Sequence, residues 1–301
     1  MERKFAMYGR CRRSHAALVA SLPHVATDSF DRGVIAKVER ALALRDQLQA
    51  EQERLRSRAG ETREYESSTN KKDCEDPVVW MEWRLKESVP PIPPSFAALL
   101  GDCIQNLRAS LDYAAWAAAA EEARQTKSTQ IMFPLYDDVA DYRNWAKKRA
   151  GWFNDDVFKV LDWAQPFRAG EGLLHPLRVL RVLSNTDKHR LLNVVEHAHI
   201  DAGLQLDPMP PAHTWWTASG PVAVGEPLAK LSFPRPPFSL GLDVRPSFGW
   251  YESVAYEAPG EAVTWLRLDE MMNAMCDFAV RTVSHMSGAR LGLKDDAESD
   301  A

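Results

Sequence analysis

Between Ser95 and Ala123 the chain carries Phe96, Leu99, Leu100, Cys103, Ile104, Leu107, Leu111, Ala114 and Ala115 at steps of three and four. That period makes a wide apolar face on one long helix, and such a helix has to be covered by other elements. Ser95 is a natural N-cap for it, and Pro90, Pro91, Pro93 and Pro94 break whatever precedes it. Within the apolar run, GDCIQNLRASLDY at 101–113 inserts Asp102, Asn106, Arg108, Asp112 and Tyr113. Globular chains place charged and amide groups where burial is expected only when those groups satisfy one another or face a ligand.

A second segment, NTDKHRLLN at 185–193, does the same at the end of the helix opened by Pro176. On the first helix, Asp102, Asn106 and Tyr113 fall on one flank, while Arg108 and Asp112 share another as an i,i+4 pair. If Asp187, Lys188 and His189 turn inward, the two helices enclose a polar pocket. Its expected ligand-binding set is Asp102, Asn106, Arg108, Asp112, Tyr113, Asn185, Asp187 and Lys188, with Arg108 as an anion clamp. A histidine beside carboxylates titrates near neutrality, which makes Arg108 and His189 the catalytic candidates should chemistry occur there. The competing reading is a surface pair worth about 0.3–0.5 kcal/mol, with Lys188, His189 and Arg190 answering the helix dipole.

Upstream, Val34, Val38, Ala41, Leu44 or Arg45, Leu48 and Leu55 draw a narrow apolar stripe on a helix from Asp28 or Asp31 to about residue 58. Its second half is almost wholly charged or amide, so the helix is expected to protrude and offers a surface for a protein partner. Residues 59–77 read as loop and 78–85 as strand. Short helices are expected near 138–150 and 154–164. The strand candidates are 191–200, 215–224, 228–233, 238–245 and 250–257, and an amphipathic helix runs from Leu266 to Met286. Helices, then strands, then a helix give an α+β fold: a helical bundle packed with an antiparallel sheet from 189–257, a C-terminal helix and the N-terminal helix. The expected organisation is a disordered leader over 1–27, a helix and charged linker over 28–75, an α+β domain over 76–290 and a disordered acidic tail over 291–301.

The net charge of −5 argues against a protein built to coat nucleic acid. Arginine outnumbers lysine 25 to 12, a bias that fits a GC-rich bacterial genome. Cys11, Cys74, Cys103 and Cys276 form no CxxC pair, so neither a disulfide framework nor a cysteine zinc site is expected, and the expected compartment is a reducing cytoplasm. No apolar stretch approaches the roughly 20 residues that span a bilayer, so no membrane partner is expected. His197 and His199 would point the same way from one strand and, with His213 or His189, could offer zinc a site; a solvent-facing pair is commoner and no metal or other cofactor is expected. Walker, dinucleotide-binding, GxSxG and HExxH signatures are absent.

NLRASLDY resembles the NLRSALDH segment of a widespread family of uncharacterised bacterial proteins. The likeness continues through Pro93-Pro94, Gly101-Asp102, Gln130-Ile-Met-Phe133-Pro134-Leu135, Gln165-Pro166-Phe167, Pro176-Leu177 and Asn185-Thr-Asp187-Lys188-His189-Arg190, in the same order over roughly 78–195. It implies membership without an activity. A second resemblance is to the HEPN superfamily of helical, usually dimeric proteins, many of them toxin or antiphage ribonucleases, whose motif is Arg, four to six residues, then His. That resemblance implies metal-independent RNA cleavage and a homodimer; this chain has Tyr113 where the motif has His, so His189 would have to replace it. Three readings follow: a binding protein for a small anionic or nucleotide-like ligand, a HEPN-type ribonuclease or an inactive relative, and a structural or protein-interaction module.

Overall fold

The computed structural model describes residues 17–18, 29–58, 64–73, 75–87, 91–170, 173–199, 204–207, 212–218, 220–235 and 243–291. The expected leader and acidic tail lie outside these residues, apart from 17, 18 and 291. The fold class is α+β, with helices at both ends and antiparallel ladders between. Where the sequence predicts one domain at 76–290, the contacts gather into two compact units. One is helical, built from parts of 1–50, 94–192 and 255–301; the other carries most of the strands, from parts of 51–93 and 193–254.

In the helical unit, helix α2 (Pro94–Ala118) buries Phe96, Leu100, Cys103, Ile104, Leu107 and Leu111, the face its periodicity marks. It packs on α6 (Pro176–Asp187) and on α7 (Leu268–Leu291). The N-terminal helix α1 (Ser29–Arg58), expected to protrude, is embedded in this unit over its first half, with Val34, Val38, Ala41, Leu42, Leu44 and Leu48 no more than 5% exposed. The central helix stops five residues before its expected end at 123, and α3 (Glu121–Lys127) follows as a separate piece. The break has a cause: Ala120 is extended, and its N–H leaves the ladder for the Trp152 carbonyl at 2.8 Å.

Helices α4 (Val139–Lys148) and α5 (Asp155–Trp163) fall where the sequence puts them, each opened by a side-chain cap, Asp138 on the Ala140 and Asp141 amides and Asn154 on the Val157 amide. Helix α6 is capped by a histidine. His175 Nδ1 accepts the Leu177 N–H at 3.2 Å, Pro176 takes the first helical position, and the ring meets Phe278 edge-on at 4.6 Å.

In the strand unit, β1 (Tyr65–Thr69), β2 (Val78–Leu85), β5 (Thr214–Thr217) and β6 (Pro227–Pro234) make one antiparallel sheet in the order β1-β2-β6-β5. The sheet expected wholly from 189–257 therefore recruits two strands from before the central helix. Strand β1 lies inside the expected loop of 59–77; it is polar and exposed at every position, so it lacks the alternation that marks a half-buried strand. Val79, Trp83, Ala229, Leu231 and Phe233 form the core of this sheet, with Trp215 edge-on to Trp83. Strand β3 (Val194–His199) pairs with β8 (Gly249–Tyr256), and β4 (Leu204–Asp207) with β7 (Asp243–Pro246). Neither β4 nor β9 (Thr264–Arg267) is anticipated by the sequence pattern. Arg56 and Gln52, in the charged half of α1, hold the buried Glu252 carboxylate, Arg56 through Nε and Nη2.

Burial drops the His175 pKa from 6.5 to about 4, with Asp137 opposing the shift. The folded value is the depressed one, so the stability His175 confers is complete above its ordinary pKa and is lost as pH falls from 6.5 toward 4. Asparagine also caps helices but does not titrate in this range. Melting temperatures of His175→Asn across that window should therefore slope less steeply than those of the wild type; parallel slopes would show that other groups carry the acid sensitivity.

Candidate functional site

The polar residues of α2 divide between two flanks, as the sequence predicts. Asp102 is exposed and Asn106 half-buried, and the Asn106 side chain donates to the Asp102 carbonyl one turn back. Lys37 on α1 reaches Asn106 Oδ1 at 3.5 Å and lies 5.8 Å above the Tyr113 ring. Tyr113 itself lies 3.7 Å from where a Cβ on Gly33 would stand. This flank thus faces α1, and it separates Tyr113 from the flank that carries Arg108.

Arg108 and Asp112 face a different neighbour. The irregular segment 131–137 passes between α2 and α6 with Ile131, Phe133 and Leu135 buried. A buried segment without a ladder needs other partners for its peptide groups. Arg108 Nη2 donates to the Phe133 carbonyl at 2.8 Å, and Asp112 Oδ1 accepts the Phe133 N–H at 2.9 Å. The same Nη2 donates to the same Oδ1 at 2.9 Å, so guanidinium, carboxylate and one peptide close a ring of contacts. Gln165 repeats the device two residues on, accepting from the Tyr136 N–H and donating to the Pro134 carbonyl, each at 3.0 Å. Arg181 of α6 donates to the Leu135 carbonyl at 3.0 Å.

Burial sets the electrostatics of this ring. It pulls the Arg108 pKa down against the attraction of Asp112, with Arg181 adding repulsion. It pushes the Asp112 carboxyl up against Arg108, the Phe133 N–H and Lys188. Each charged group is thus held by the other at a desolvation cost. Arg108 Nη1 is buried and has no hydrogen-bond partner among the described residues.

At the end of α6 the predicted residues part company. Asp187 turns inward and accepts Gln105 Nε2 at 3.0 Å, while the same Nε2 donates to the Ser184 carbonyl at 2.9 Å. Asn185, Lys188 and His189 are exposed. Lys188 still acts on Asp112 through space. The His189 N–H bonds the Thr186 carbonyl in the helix end, and its exposed side chain has no recorded part in the ring around Arg108. Arg190 pairs with Glu257 at 2.5 Å. His213 is exposed, and the side chains of His197 and His199 lie outside the described residues. Among the described residues no three His, Cys, Asp or Glu side chains group as metal ligands.

Several members of the network escape sequence reasoning. Asp137 pairs with Arg181 and with Arg178 Nε, and Arg178 Nη2 donates to Glu261 at 2.8 Å. The Tyr256 hydroxyl, buried in this group, has no hydrogen-bond partner among the described residues; burial raises the phenol's pKa and Arg178 draws it down. One signal was available: Arg178 and Arg181 stand one turn apart in an otherwise apolar helix, the same anomaly that marks Arg108. No family model, curated protein or solved structure matches the chain. No described helix is long and apolar enough to cross a membrane.

Gly101 is where α2 admits the Asp187 carboxylate; a Cβ there would stand 2.8 Å from Asp187 Cγ. Replacing a helical glycine by alanine ordinarily stabilises by up to about 1 kcal/mol. Here the sign should reverse, with Gly101→Ala lowering the melting temperature and Asp187→Ala in the same chain restoring part of the loss. A Gly101→Ala protein that melts higher than the wild type would show that α6 yields freely at this contact.

Proposed function

We propose that the protein binds a small ligand bearing a carboxylate or phosphate group at Arg108, in the seam between α2, the 131–137 segment and α6. The observation that carries this reading is the Arg108 Nη1 group, buried with its donors unmatched while Nη2 serves Asp112 and Phe133. Leaving a buried donor unmet costs about 1–3 kcal/mol, more when it is charged. An oxyanion meets that need, and arginine's planar fork is suited to carboxylate and phosphate oxygens. Arg181 and Lys188 supply further positive charge close by. Asp112 is the built-in competitor: its raised carboxyl is the group that has to yield when an anion approaches, so binding is coupled to proton uptake.

No observation favours the ribonuclease reading in the same way. It needs an acid–base partner for Arg108, whereas Tyr113 lies on the other flank and His189 projects outward.

The test is a set of thermal melts with inorganic phosphate, a nucleoside monophosphate and a simple carboxylate. A ligand at 100 times its dissociation constant stabilises by about 2.7 kcal/mol, a rise of roughly 5–10 °C in a unit of this size. At least one anion should raise the melting temperature, more strongly as pH falls through the Asp112 titration. Lys188→Ala, a change at an exposed position, should shrink the response with little change in the ligand-free melt. Arg108→Lys should abolish it. A flat response to every anion, or an equal one in Arg108→Lys, would remove Arg108 as a binding group.

A further inference from the structure

Helix α4 ends in a run of positive charge. Arg143, Lys147 and Lys148 are exposed, Arg149 follows as the C-cap, and among the described residues none of the four has an ion-pair partner. A helix C-terminus favours a cation in its last turn. Four cations within the seven residues 143–149 exceed that need. The Arg149 guanidinium lies 5.1 Å from the Trp145 ring and 5.0 Å from the Trp152 ring, and its Nε is buried with no hydrogen-bond partner among the described residues. Trp152 is fixed in turn: its N–H donates to the Arg149 carbonyl at 2.9 Å, and its carbonyl accepts the Ala120 N–H at 2.8 Å. A guanidinium positioned by two rings instead of a carboxylate keeps its planar fork for an incoming anion.

The loop after α4 leads to the end of α7. Asn154 Nδ2 donates to the Ala289 carbonyl at 3.3 Å, two residues before α7 stops at Leu291. Beyond that point the sequence carries Asp295, Asp296, Glu298 and Asp300 against the single Lys294. At about 3.3–3.6 Å per residue, the chain from Arg149 to Asn154 spans at most about 18 Å, whereas that from Leu291 to Asp300 can reach about 30 Å. We propose that the acidic segment 294–300 docks on the basic end of α4, its carboxylates paired with Arg143, Lys147, Lys148 and Arg149, and so closes this surface to other anions. A short tether holds the segment near the patch at an effective concentration on the order of millimolar. One exposed ion pair contributes little, so the docking rests on several at once and weakens with salt. Asp155 and Asp156, exposed at the start of α5, repel the segment, and Asp156 is already paired with Lys159 at 2.8 Å. The attraction therefore has to come from α4.

The experiment is zero-length carbodiimide coupling of the full chain, which joins a carboxylate to a lysine amine only when the two meet. Unlabelled and isotope-labelled protein are mixed in equal parts, coupled, digested and read by mass spectrometry. Links from Asp295, Asp296, Glu298 or Asp300 to Lys147 or Lys148 are expected, within chains of one label. Their yield should fall several-fold as ionic strength rises from about 0.01 M to about 1 M, where the Debye length drops from about 30 Å to about 3 Å. The exposed change Arg143→Glu keeps both lysines and should lower the yield several-fold at low salt, while the link between Asp156 and Lys159 serves as an internal reference. The salt series on the wild type gives the answer independently should that variant fold poorly. No link at all, links spread evenly over other exposed lysines such as Lys71, Lys127 and Lys188, links indifferent to salt, or links between differently labelled chains would each overturn the proposal.

Discussion

The helical unit depends on how a segment without regular structure, 131–137, buries Ile131, Phe133, Pro134 and Leu135 between helices. A strand would satisfy its peptides through a ladder, and this segment has none, so side chains do that work. Arg108 and Asp112 together present to Phe133 the donor and acceptor that a neighbouring strand would have offered. Gln165 does the same for Pro134 and Tyr136, and Arg181 closes the Leu135 carbonyl. Each carbonyl or N–H left unmet here would cost about 1–3 kcal/mol. The polar residues that interrupt α2 and α6 are thus the condition under which Ile131, Phe133 and Leu135 can be buried at all.

That constraint propagates to the helix packing. For Arg108 and Arg181 to reach the same segment, α2 and α6 have to lie close along their lengths. At Gly101 the missing side chain leaves room for Asp187. Gln105 then bonds both the Asp187 carboxylate and the Ser184 carbonyl near the end of α6. On the opposite flank, Tyr113 packs beside Gly33 of α1. One glycine and two polar flanks therefore shape what α2 touches.

The α+β class, the extent of α1, the positions of α4 to α6 and strand β2 were legible because hydrophobic period and capping residues agree there. The break after Ala118 was not, since it depends on a remote carbonyl, that of Trp152. Strand β1 was invisible because its partner supplies all of its order. At the site, the two flanks of α2 followed from helical geometry, while Asp187 turns to Gln105 and not to Arg108 and Asp112. Lys188 and His189 could not be oriented from sequence, because a helix end presents successive residues in different directions. Asp137, Glu261 and Tyr256 join the network only through tertiary packing.

If Arg108 takes an anion as proposed, the charge along the seam bears on which ligand fits. Arg108 is balanced by Asp112, while Arg178 and Arg181 are balanced by Asp137 and Glu261. Lys188 adds one positive charge beside Asp112, so the network exerts only a modest long-range pull on anions and selectivity has to come from geometry at contact. Among the described residues, the groups there without a hydrogen-bond partner are Arg108 Nη1 and Arg178 Nε, which donate, and the Tyr256 hydroxyl, which can donate or accept. With so small a charge excess, the proposed binding favours a ligand rich in acceptor oxygens, part of whose charge is met by protonating a neighbour. Asp112 is the neighbour already displaced toward the protonated state by its burial. On that reading, the residue that holds the segment in place is also the one whose titration governs anion binding at Arg108.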